Sequence, residues 1–170
     1  MASTEFKGTA VHTYNNLPEV GSTAPDFCLT KMDLSDVSIE DFAGSNVVMN
    51  IFPSVDTGVC AASVHKFNEA AAELKGTKVL CISRDLPFAQ KRFCGAEGID
   101  NVIMLSDLRD GSFGETYGIE MIDGPLAGLL ARSVIVLDCH GKIIHSQLVP
   151  EITEEPDYDA ALESLMALKQ

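Results

Sequence analysis

Two uninterrupted apolar runs, residues 46–52 (NVVMNIF) and 78–83 (KVLCIS), constrain this chain more than any other feature. A strand with one face in water alternates polar and apolar side chains. A continuous run instead belongs to a strand covered on both faces. Pro53 stops the first run. Between the two, Val64, Phe67, Ala71 and Leu74 recur at helical spacing, which predicts a helix over 60–74. Further on, Pro87 opens a short helix at its first position, and Gly95 suits its end just past Cys94. Residues 101–105 read as a third strand and 112–117 as a short helix. Residues 133–138 and 142–148 form a hairpin around Cys139-His140-Gly141, and 157–168 a closing amphipathic helix capped by Asp157. Upstream, 5–14 alternate around Lys7-Gly8-Thr9 as an N-terminal β-hairpin. A short strand follows at 26–30, then a helical turn at 38–42 that ends at Gly44.

Strands alternating with helices imply an α/β architecture with a parallel portion, and the late hairpin adds antiparallel strands. The expectation is a central mixed sheet flanked by helices, with an added N-terminal hairpin. The thioredoxin-like fold is one such arrangement, and periodicity alone does not choose it. No linker or repeat divides the 170 residues, so 1–170 is read as a single domain.

Charge and cysteine usage narrow the function. Twelve Lys and Arg against 25 Asp and Glu leave a formal charge of −13, which repels nucleic acid and anionic membranes alike. No stretch approaches the roughly 20 apolar residues of a membrane span. The first residues, MASTEFKGTAVHTYNN, hold no apolar run of signal-peptide length, so a cytoplasmic protein is expected. The five cysteines, Cys28, Cys60, Cys81, Cys94 and Cys139, are widely spaced and include no CxxC. In a reducing compartment, a pair that does oxidise is catalytic or regulatory rather than structural. Glycine-rich nucleotide motifs are absent, and Cys139, His140 and His145 lack zinc-site spacing. No metal or organic cofactor is called for.

The chemistry is concentrated in Phe52-Pro53-Ser54-Val55-Asp56-Thr57-Gly58-Val59-Cys60-Ala61-Ala62-Ser63. This segment leaves a buried strand, turns at Pro53 and enters a helix with Cys60 in the first turn. A helix start offers unpaired N–H groups and the positive end of the macrodipole, both of which favour a thiolate. Cysteines so placed can ionise with pKa values of roughly 3.5–7.5. Thr57 can turn its hydroxyl to the sulfur or to the attacked oxygen, Pro53 can wall the site from water, and Asp56 should point away. Cys81, in mid-strand, reads as inert core. The stretch 151–159 reads as a solvated acidic loop, and Arg84, Lys91 and Arg92 as a small positive neighbourhood around Cys94.

Pro53, Thr57 and Cys60 reproduce a Pro-x-x-x-Thr-x-x-Cys signature, and the wider string NIFPSVDTGVCAASVHKFN resembles the atypical two-cysteine peroxiredoxins of bacteria. Further likeness lies in LCIS (80–83), DLPFAQ (85–90), RFCGAEG (92–98) and DGPL (123–126), so the resemblance covers almost the whole chain. It implies a thioredoxin fold and a thiol-dependent peroxidase acting on hydrogen peroxide and organic hydroperoxides in antioxidant defence. By the same resemblance, Cys60 is the peroxidatic nucleophile and Cys94 the resolving thiol of an intramolecular disulfide. Arg132 is then an active-site arginine, thioredoxin the reductant, and a homodimer the assembly. Read without the resemblance, Arg132 would be a solvated charge at a strand start. A redox sensor using the same cysteine pair is the alternative from another functional class.

Overall fold

The two apolar runs pair in parallel near the middle of a seven-stranded sheet. The computed structural model describes residues 1–168. Its strands are β1 (Ser3–Phe6), β2 (Thr9–His12), β3 (Leu29–Lys31), β4 (Asp36–Val37), β5 (Asn46–Ile51), β6 (Thr77–Ser83), β7 (Ile103–Ser106), β8 (Ser133–Leu137) and β9 (Ile143–Leu148). The helices are α1 (Gly58–Ala71), α2 (Pro87–Glu97), α3 (Ser112–Thr116) and α4 (Tyr158–Ala167), with a 3-10 turn at Ile39–Phe42. The sheet order is β4-β3-β7-β6-β5-β8-β9, parallel across β7-β6-β5 and antiparallel elsewhere.

Both faces of the central strands are covered, as their composition requires. Val47, Met49 and Ile51 of β5 point into one core with Phe27, Phe113 and Tyr117. Val48 and Phe52 point into the other, against Val64 and Phe67 of α1 and Leu165 of α4. Burying each such side chain is worth about 1.5–3 kcal/mol, so this sandwich of sheet between helices fixes where β5 ends and α1 begins.

Three local expectations shift. Strand β3 starts later than residue 26, because Asp26 Oδ1 accepts from Phe27 N at 2.8 Å and Ile39 N at 3.2 Å and holds that stretch outside the ladder. Helix α1 begins at Gly58 rather than Cys60. Helix α2 continues through Gly95 to Glu97 and is terminated by Gly98, whose φ of 68° is the left-handed conformation that lets its N–H reach back to the Cys94 carbonyl.

The N-terminal hairpin turns at Lys7-Gly8, both with positive φ. It is sewn to residues 149–152: Thr4 Oγ1 donates to Val149 O at 2.7 Å, Glu5 N to Pro150 O at 2.8 Å, and Ile152 N to Glu5 O at 2.8 Å. Among the described residues no helix is long and apolar enough to cross a membrane.

Candidate active site

Where β5 ends, the chain passes Pro53 and re-enters helix at Thr57. Thr57 is the N-cap of α1: its extended backbone stops the helix, and its Oγ1 accepts from Cys60 N at 3.4 Å. That hydroxyl donates to Ser54 O at 3.3 Å, so it is bonded to the cap and loop rather than to the sulfur, while Thr57 itself lies in the wall of the adjoining cavity. Cys60 thereby occupies the third helical position, 0% exposed, with its side chain against the helix's positive end.

Arg132 immediately precedes β8 and is 1% exposed, the largest fully buried side chain among the described residues. Its Nη2 donates to Cys60 Sγ at 3.1 Å and its Nε to the Ile152 carbonyl at 2.8 Å. Nη1 is buried without a protein partner. Among the described residues no carboxylate pairs with this guanidinium. An uncompensated buried cation costs several kcal/mol, and the Cys60 sulfur is the neighbour able to carry a compensating charge. A surface arginine is therefore excluded. Arg132 lies in the wall of an apolar cavity of about 320 Å³ with Phe6, Pro53, Thr57, Val59 and Leu126.

Asp56 is exposed and turned outward, where Arg92 Nη2 reaches its Oδ1 at 3.3 Å. Cys94 lies on α2, 7% exposed, in the same apolar cluster as Cys60. A groove separates their helices, lined by Val55, Gly58, Ala61, Phe93 and Ala96. All five cysteines are free thiols.

A family model described as Redoxin matches residues 19–162. The chain belongs to the Redoxin family. It is also 55% identical over 167 residues to a thiol peroxidase of Mycobacterium tuberculosis, covering 98% of this chain and 100% of that protein. A peroxiredoxin-like protein from Aquifex aeolicus superposes with a TM-score of 0.93 at 39% identity, covering 99% of this chain and 98% of that one. A thiol peroxidase from Chromobacterium violaceum, at 21% identity and a TM-score of 0.91, shares the fold over 99% of this chain and 97% of its own. The mixed sheet, its flanking helices and the N-terminal hairpin are thus the thioredoxin-like fold of a peroxiredoxin-type enzyme.

This Redoxin chain departs from the expected surroundings of Cys94. Arg84 is not beside it: the guanidinium is held by Asp107, Glu120 and the Gly111 and Gly128 carbonyls. Lys91 faces a groove with Met32 and Val102. With no cation among the described residues turned to it, the Cys94 thiol is pushed up to about 11 by burial. Its folded-state value lies above the ordinary thiol value of 9.0, so the associated stability is intact below pH 9 and drains away as pH rises through 11. Thermal melts of the reduced protein and of Cys94→Ala, run from pH 8 to 11, should show the wild type losing up to about 2 kcal/mol more than the variant. Parallel curves would mean that Cys94 is not buried in solution.

Cys81 is buried core, its thiol pushed up to about 12, and Cys28 and Cys139 are exposed. His12 and His65 are surface groups bonded to Asp123 and Glu97. Sequence reasoning missed two contributors. Ile152, assigned to a solvated loop, is buried, and its carbonyl orients Arg132. Phe6 and Lys7 of the hairpin reach the cavity. Ile152 is an apolar residue amid acidic neighbours, a faint signal. The contribution of the hairpin had none.

Proposed function

We propose that this chain is a thiol peroxidase that reduces hydrogen peroxide and organic hydroperoxides with Cys60 as nucleophile and Cys94 as the resolving thiol. The single observation carrying the reading is the buried Arg132 guanidinium at 3.1 Å from Cys60 Sγ, with a second nitrogen left without a protein partner. The Cys60 thiolate attacks the terminal oxygen of R–O–O–H, the O–O bond breaks, and the sulfur becomes a sulfenic acid. The leaving alkoxide takes a proton and departs as alcohol, or as water when the substrate is hydrogen peroxide. Negative charge spreads over both peroxide oxygens as that bond breaks. Nη1 of Arg132 and the first-turn amides of α1 are donors fixed in advance for it. Phe6, Val59 and Leu126 favour an organic R group and exclude water.

Cys94 then attacks the Cys60 sulfur, releasing water and forming a disulfide. Each thiol is buried on its own helix, so the step requires local opening of one or both helix ends. A dithiol of the thioredoxin type reduces the bond by exchange. The cytoplasmic setting, the antioxidant role and a homodimer belong to the same reading, and the exposed apolar pair Leu86 and Phe88 supports a contact face.

The test follows consumption of hydrogen peroxide and cumene hydroperoxide with thioredoxin, its reductase and NADPH, then maps the oxidised protein by peptide mass. Sustained turnover with a Cys60–Cys94 cross-linked peptide is expected. Turnover without that peptide would remove Cys94 from the cycle, and no turnover with either peroxide would end the proposal.

A further inference from the structure

We propose that Asp85 is a latch that holds the Cys60 loop closed and sets how fast the Cys60–Cys94 disulfide forms, an inference that rests on the two-cysteine reading above. Asp85 lies two residues past the end of β6 and two before Pro87, the start of the helix that carries Cys94. Its carboxylate bridges to the other cysteine's segment. Oδ1 accepts from Ser54 Oγ at 2.7 Å, and Oδ2 accepts from Val55 N at 2.9 Å and Ser83 Oγ at 2.6 Å. Its own carbonyl accepts from Ser106 Oγ at 2.5 Å, which pins the residue to β7. Ser83 Oγ in turn accepts from Nε2 of Gln90, a fully buried side chain on α2. One continuous chain of hydrogen bonds therefore runs from the loop before Cys60 to the helix of Cys94.

Bonds to an ionised acceptor are about twice as strong as neutral ones. Among the described residues no cation pairs with Asp85, so Ser54, Val55 and Ser83 are what compensates its charge. When the 54–57 segment swings away, the bonds to Ser54 and Val55 are the ones that break. The latch thus favours the closed state, in which Cys60 stays against Arg132, ready for peroxide. It delays the open state, in which Cys94 can attack. A sulfenic acid kept in the closed state meets a second peroxide instead: sulfenic acid plus hydroperoxide gives sulfinic acid plus alcohol. Asp85 is accordingly a positioning residue that partitions the sulfenic acid between disulfide and sulfinic acid.

The experiment mixes reduced wild type, Ser54→Ala, Ser54→Thr and Asp85→Asn with peroxide. Intact mass then follows gain of one oxygen, loss of two hydrogens (the disulfide) and gain of two oxygens. Loss of one such bond shifts a local equilibrium by about tenfold. Ser54→Ala should therefore form the disulfide about tenfold faster and yield less sulfinic acid at high peroxide, with Ser54→Thr restoring wild-type behaviour. Asp85→Asn should move in the same direction if it folds, and Ser54→Ala carries the test if it does not. Unchanged partition between disulfide and sulfinic acid in a folded Ser54→Ala would overturn the latch. A wild type that never loses two hydrogens would instead overturn the two-cysteine reading beneath it.

Discussion

Cys60→Ser is expected to drop peroxide consumption to the uncatalysed background while leaving the fold intact. Serine is close in size to cysteine, and its hydroxyl would still accept from Arg132 Nη2, so the buried guanidinium keeps its partner. What is lost is the anion. An alcohol needs an adjacent general base to become a nucleophile at neutral pH, and none is at hand. His12 and His65 are exposed and engaged with Asp123 and Glu97. Cys94→Ser should behave differently. It should still gain one oxygen per chain, trappable as a sulfenic acid, yet fail to turn over with thioredoxin, because no disulfide forms. Peroxide assays with intact mass under the same conditions separate the two. Equal consumption by wild type and Cys60→Ser would refute the assignment of the nucleophile.

These outcomes depend on positions that were legible to different degrees. The strand-loop-helix junction at Cys60 can be read directly, because a continuous apolar run, a proline and a helical repeat are all local signals. A central place for β5, between β6 and β8, follows once both its faces must be buried. Arg132 is the opposite case. Nothing within a few residues of it announces burial, and chain pattern alone assigns it to solvent. Its partners lie far away in sequence: Cys60 is 72 residues off and Ile152 is 20. Only the resemblance pointed to it. Asp85 announces no role in the sequence, since a carboxylate that accepts from a loop 30 residues upstream leaves no periodic trace. Thr57 is legible in one respect and not in another. Its place at the active cavity can be read from the chain, whereas its role as the cap that accepts from Cys60 N depends on where the helix starts.

Arg132 carries the second large effect. Its Nη2 touches the sulfur, and its Nη1 is left free beside the cavity, so on the proposed mechanism one side chain would serve both the sulfur and the peroxide oxygens. Removing a single preorganised donor from such a site typically costs 10²–10³ in rate, or about 2.7–4 kcal/mol. Arg132→Met, which keeps bulk without charge, should lower the second-order rate constant for peroxide by about that factor. Arg132→Lys keeps a cation but cannot donate to Ile152 O and Cys60 Sγ in one plane, so it should recover only part of the rate. Stability supplies the control. The methionine gives up the bond to Ile152 O and leaves that buried carbonyl unpaired, a loss of about 1–3 kcal/mol. Arg132→Met should therefore melt below the wild type yet stay folded at the assay temperature, so a melt and a rate measured on the same sample separate slow chemistry from unfolding. If the methionine variant reacts with peroxide at the wild-type rate, the guanidinium has no part in the chemistry, and the amides of α1 must account for the reactivity of Cys60 without it.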